Sequence, residues 1–238
     1  MKVELKHYTP LSIADDAIGK CWDKPSTNEC NIKRIHRVAN QAKHASTIEH
    51  LSYNFDIDGI SRACLQELAR HRMSSFSVKS SRYTLGELKH ERPFHQIEGD
   101  SLNSREGKYL VFTGYNDIDN ASINALEALR VFVCSGLSND KIKYCMPEAY
   151  KTSLVWTINA RSLQNFLKLR TDKRALWEIR ELAYEIFKQL PEDHRFLFEE
   201  FLYVDIVEYK VTEEDRTFFF NKEGSFADDW TIRKWLGK

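Results

Sequence analysis

"RHRMSSFSVKSSRYT" (residues 70–84) sets three arginines, a lysine, a histidine and five serines among four sizeable apolar residues. No core-facing period runs through it for long. Arginine binds phosphates and carboxylates with two parallel donors, and serine hydroxyls add short-range donors. The mixture suits a pocket that wraps an anion. "SSFSVKSS" contains no glycine, so it is neither a P-loop nor a dinucleotide-binding turn. Two other readings fit the same residues. One is a plain exposed basic loop. The other is a platform for single-stranded RNA, with Phe76 and Tyr83 stacking between cations. The pattern alone ends at an anion site of unknown ligand.

Outward from that stretch, strands and helices mix. "HLSYNFDID" (50–58) alternates Leu51, Tyr53, Phe55 and Ile57 against polar partners, the mark of a half-buried strand that Gly59 should end. "SRACLQELARHR" (61–72) reads as a helix running into the quoted stretch. "NIKRIHRVANQAKH" (31–44) places Ile32, Ile35, Ala39 and Ala42 on one side of a helix. Residues 121–137, 159–170 and 175–190 are helical by the same test, and "YKTSLVWTI" (150–158) is rich in β-formers. Residues 86–120 carry the weakest period and read as a long surface loop or insertion. No regular βαβ repeat appears, so the chain reads as α+β, one domain over 1–238 with a mixed or antiparallel sheet and flanking helices.

Composition removes several function classes. The 238 residues carry 35 basic and 35 acidic side chains, so no global field draws nucleic acid or a membrane surface. No apolar run approaches a spanning length, and the first residues lack a secretory signal. Five cysteines without a C-x-x-C pair read as a reduced, cytoplasmic chain with no metal site. Cys64 sits in apolar "ISRACLQELA" and reads as a buried small residue rather than a nucleophile.

Two helices break their own pattern. In the helix after 60, Ile60, Ala63 and Cys64 define an apolar face that Glu67 and His71 share. A carboxylate there needs a partner or a task, and His71, four residues on, is the nearest partner. In helix 159–170, Leu163, Phe166 and Leu167 make a face that ends in Arg170, with Arg174 next if the helix continues. Arginine cannot escape burial by losing its proton. Thr171 or Asp172 offers to cap a new helix and release Arg174 to solvent. On the opposite face, Arg161 and Asn165 read as solvated.

Taken together, the stretch resembles the signature of the flavin-dependent thymidylate synthases: Arg70-His71-Arg72, seven residues, then Ser80, followed by Arg82-Tyr83. "HASTIEHLSYNF" (44–55) and "NARSLQNFLKLRTDKRALWEI" (159–179) resemble two further blocks of that family, in order. The resemblance implies a homotetramer with FAD shared between subunits. It implies reductive methylation of dUMP to dTMP, with methylenetetrahydrofolate as carbon donor and NADPH as reductant. It places His44, Ser46, Glu49, Arg70, His71, Arg72, Asn159, Arg161, Asn165 and Arg174 at or beside FAD. It gives the nucleotide to Glu67, Arg70, Arg82, Lys143 and Arg170, with Val78, Lys79, Ser80 and Ser81 wrapping its phosphate. It makes Arg170 the expected catalytic residue, set to stabilise negative charge on the uracil ring. Four positions depart from the family pattern: Glu67 stands for the usual Gln, Val78 for an acidic residue, Lys143 for Arg and Arg174 for His. Three of them bear on the nucleotide, so a relative acting on UMP or dCMP, with a methyl or hydroxymethyl product, is the second reading. The resemblance holds over about residues 31–85 and 140–190; it is weak at the N-terminus, in 86–120 and beyond about 200, and 86–120 and 205–238 read as variable segments.

Overall fold

The computed structural model describes residues 1–23, 30–95 and 104–203. Four strands, β1 (Lys2–Tyr8), β2 (Ser52–Ser61), β3 (Ser74–Val78) and β4 (Lys151–Asn159), form one sheet in the order β1-β2-β4-β3, antiparallel throughout. The helices are α1 (Ser12–Cys21), α2 (Ile32–His36), α3 (Arg62–Leu68), α4 (Ser81–Thr84), α5 (Asn116–Cys134), α6 (Asn139–Ile142), α7 (Ala160–Arg170) and α8 (Trp177–Gln189). No helix among the described residues is long and apolar enough to cross a membrane.

The alternation in β2 does what period-2 patterning dictates. Tyr53, Phe55 and Ile57 are fully buried, while Ser52, Asn54 and Asp56 stay half-exposed on the other face. Register lines up Leu5, Phe55, Trp156 and Phe76 across all four strands. Trp156 stacks against Phe76 at 6.2 Å and meets Phe166 of α7 edge-on at 5.0 Å. This aromatic row ties the sheet to the helix that carries Arg161 and Arg170. The main core lies here, closed by Leu163, Phe166 and Leu167 of α7 and by Ile179, Leu182 and Ile186 of α8.

Three expectations are corrected. Gly59 does not end β2. It takes φ +76° inside a bulge between Asp58 and Ile60, and the strand continues to Ser61. Residues 86–120 are not a surface loop where described. Leu85, Leu88, Phe94, Tyr109 and Leu110 build a second core against Ile123, Leu126, Leu129 and Val133 of α5. Asp119 helps start α5 five residues before the expected point, by accepting from the backbone N–H groups of Thr113 and Gly114 at 2.8 and 3.1 Å. Finally, α3 stops at Leu68, so His71 lies beyond the helix rather than on its face.

Candidate active site

Helix α7 organises the site from both ends. Its start is fixed by Asn159, whose side chain accepts from the Ser162 N–H at 2.8 Å as an N-cap. In the first turn, Arg161 pairs with Glu49 at 2.6 Å, and Asn165, one turn on, is exposed on the same outer face. Glu49 follows the 3-10 turn Ala45–Ile48, so the pair joins the 44–49 block to the 159–165 block. His44 and Ser46 are exposed there and help line a cavity of about 750 Å³ with Trp22, Arg34 and Arg37.

The other end of α7 lies about 13 Å along its axis at 1.5 Å per residue. There Arg170 is held three ways. Its Nε donates to His71 Nε2 at 2.9 Å, one terminal nitrogen donates to Glu67 Oε2 at 2.6 Å, and the other donates to the Glu67 carbonyl at 2.9 Å. The expected Glu67–His71 pair is therefore replaced by a three-residue cluster centred on Arg170. The guanidinium has no acceptor, so His71 Nε2 must be the unprotonated nitrogen and Nδ1 carries the hydrogen. Burial and the Arg170 charge push His71 down to about 4, so it is neutral near pH 7. Its ring packs edge-on against Phe166 at 5.0 Å. The Arg170 side chain is 15% exposed and that of Glu67 44%. Arg70 and Arg72, on either side of His71, are exposed and make no ion pair among the described residues.

The remaining candidates form a third group. "SSFSV" is β3, an edge strand about 16 Å long that carries the chain away from His71. Val78 is exposed at its end. Beyond it Lys79 pairs with Glu87 at 3.3 Å, and Ser80 starts α4, with Ser81 half-buried behind it. Arg82 pairs with Asp140 at 2.6 Å, and its carbonyl accepts from Asn139 at 2.7 Å. Lys143 follows three residues after Asp140 in the 3-10 turn Lys143–Cys145. Within one chain, residues 79–82 are thus bonded to the second-core unit and not to Arg170. Arg174 is 85% exposed and pairs with Asp172 at 2.8 Å, but neither Thr171 nor Asp172 caps a helix: α8 starts at Trp177, behind Leu176.

Phe76 spends one ring face on Trp156, which weakens the RNA-platform reading; Tyr83 alone is free, at 81% exposed. Cys64 is fully buried and burial pushes its thiol well up, so no thiolate nucleophile arises there. Two site-supporting residues escaped the sequence reading. Asp140 had no distinguishing signal. Glu178 did: it lies four residues before Leu182, on the buried face of α8. Its carboxylate accepts from the Ser61 N–H at 2.7 Å and from the Ser61 hydroxyl, which in turn caps α3 through the Cys64 N–H at 3.0 Å. The start of the helix that carries Glu67 is thereby clamped to α8.

A family model described as "Thymidylate synthase complementing protein" matches residues 5–194. A flavin-dependent thymidylate synthase of Campylobacter jejuni is 52% identical over 210 residues, covering 87% of this chain and all of that protein. One from Wolinella succinogenes is 55% identical over 202 residues, covering 83% and 97%. Among solved structures, thymidylate synthase X from Helicobacter pylori with FAD and dUMP superposes with a TM-score of 0.80. It is 50% identical, covering 85% of this chain and 99% of its own.

Proposed function

The chain belongs to the flavin-dependent thymidylate synthases, and on that premise we propose that its site converts dUMP to dTMP with bound FAD. Methylenetetrahydrofolate supplies the carbon and NADPH the reducing equivalents. The observation that carries this reading is α7 itself, which presents Arg161 and Asn165 at one end and a fixed Arg170 at the other.

The residues fit the ligands. FAD carries a pyrophosphate that asks for cations and donors without internal partners. Arg70 and Arg72 are exposed and make no ion pair among the described residues, and the cavity beside His44 and Ser46 adds exposed Arg37; Arg34, in the same lining, is already paired with buried Asp15 at 2.7 Å. Arg161 is held by an exposed carboxylate, which a ligand can displace at little cost. When bound, FAD supplies the redox chemistry and the carrier for the one-carbon unit. The chain does the rest. Ser80, Ser81 and Arg82, with Val78 and Lys79 flanking, present donors to the nucleotide phosphate. Glu67, Lys143 and Arg170 complete the nucleotide set. Arg170 cannot accept a proton, so it acts as a fixed charge against the uracil edge, where negative charge builds as C5 becomes nucleophilic. Neutral His71 and the Glu67 carbonyl keep its fork from swinging, so little reorganisation is needed during reaction.

The same reading includes a homotetramer with sites shared between subunits, and two features support it. The phosphate group of residues and Arg170 are not bonded together within one chain, and the Arg161 face is open. A second copy completes the pocket. The flavin spectrum tests the proposal. NADPH should bleach the yellow protein, and dUMP with methylenetetrahydrofolate should restore its colour under anaerobic conditions. A colourless protein that takes up no FAD refutes the reading.

A further inference from the structure

We infer that Glu67 sets the ionisation of the bound pyrimidine ring by offsetting the charge of Arg170. This rests on the proposed placement of Arg170 at the ring edge. The guanidinium has five N–H donors. Three are spent on His71 Nε2, Glu67 Oε2 and the Glu67 carbonyl, and two remain for a ligand. Among the described residues, the Glu67 carboxylate, at 2.6 Å, is the one anion in direct contact with it.

The other titratable groups packed around the pair do not take that role. His71 is neutral near pH 7, and Cys64 is a buried thiol held protonated. Glu178 on α8 spends both carboxylate oxygens on Ser61. Glu181, also on α8, acts on this region only through space. Glu67 thus makes the cluster close to neutral. A ring lying against a neutral cluster keeps its N3 proton more firmly than one lying against a bare cation. The carbonyl of the same residue supplies a separate tether, as does His71. Removing the carboxylate charge therefore leaves Arg170 in place, so orientation and charge are carried by different atoms.

The test uses FAD-loaded enzyme with 5-fluoro-dUMP and no folate, so that nothing turns over. The ¹⁹F chemical shift of the bound nucleotide, followed against pH, reports N3 ionisation. Glu67→Gln should lower the midpoint by about one pH unit. That is the scale for a charge roughly 7 Å away at an effective dielectric of about 40, across a half-exposed boundary. Glu67→Met, which also removes the charge, should move it the same way. Arg170→Met should raise it by a similar amount, because Glu67 is then uncompensated. If Arg170→Met raises the midpoint but neither Glu67 variant lowers it, the inference is overturned and the Arg170 placement stands. If no variant moves the midpoint, the Arg170 placement and the inference fail together.

Discussion

Replacing Arg170 by alanine removes the hub of a three-bond cluster, and the structure allows its cost to be split. Two of the lost bonds engage Glu67, whose side chain is 44% exposed and can rehydrate. The third leaves His71, 8% exposed, with an acceptor that water reaches poorly. Hydrogen bonds to charged groups are worth about 1.5–3 kcal/mol each, but rehydration at Glu67 returns much of that. The net loss should be about 2 kcal/mol, a fall in Tm of about 4–8 °C for a chain of this size. The protein should stay folded and yellow. Reduction of its flavin by NADPH should run at a near-normal rate, while methylated product falls by about two to three orders of magnitude, the scale for one preorganised charge. His71 should titrate higher in the variant, since the arginine is one of the two causes that depress it. Arg170→Lys should recover only part of the rate, because a point charge lacks the planar fork. Stopped-flow reduction and product analysis on one preparation decide the matter. Normal turnover by Arg170→Ala refutes the role. Unfolded, flavin-free protein would show instead that the arginine serves the fold.

Three further outcomes follow. Arg161→Ala should lose FAD yet keep its far-ultraviolet dichroism and the Tm of FAD-free wild type, since among the described residues its side chain bonds only exposed Glu49; full flavin occupancy in gel-filtered protein counts against its assignment. Arg82→Ala should weaken dUMP binding by about 2 kcal/mol, roughly thirtyfold, with flavin content unchanged, as isothermal titration would read. Stability should fall as pH drops from about 6.5 to about 4, because unfolded His71 takes up a proton that the folded site refuses. The window is worth at most about 3 kcal/mol. In urea titrations over this range the stability of wild type should fall with pH while that of His71→Gln falls less, so the two pH profiles differ in slope; parallel profiles would contradict it.

What could be read from the chain followed the strength of its periodicity. β2 announced itself because each buried residue alternates with a polar one. α7 and α8 did so because their apolar stripes run uninterrupted for two turns or more. β3 did not: "SSFSV" offers only Phe76 and Val78, and an edge strand facing solvent asks for little more. The second core escaped for a related reason. Leu85, Leu88, Phe94 and Tyr109 follow no single period, and they come together only when α5 packs over them. At the site, Arg170 stood out as an anomaly at the end of an apolar face, but its partners did not. Periodicity placed His71 on α3, whereas the helix ends three residues earlier and the turn beyond it swings the imidazole onto the guanidinium. The Glu178–Ser61 clamp joins residues 117 apart, a pairing no local pattern encodes.

The product made from the nucleotide distinguishes dTMP synthesis from its alternatives most directly. Purified FAD-loaded enzyme, given NADPH and methylenetetrahydrofolate, should be offered dUMP, UMP and dCMP in parallel and the products identified by mass. The prediction is that dUMP alone is efficiently converted, gaining a single methyl group in place of the C5 hydrogen to give dTMP. Preferential alkylation of UMP or dCMP, a hydroxymethyl product, or no alkylation by flavin-replete protein would contradict it.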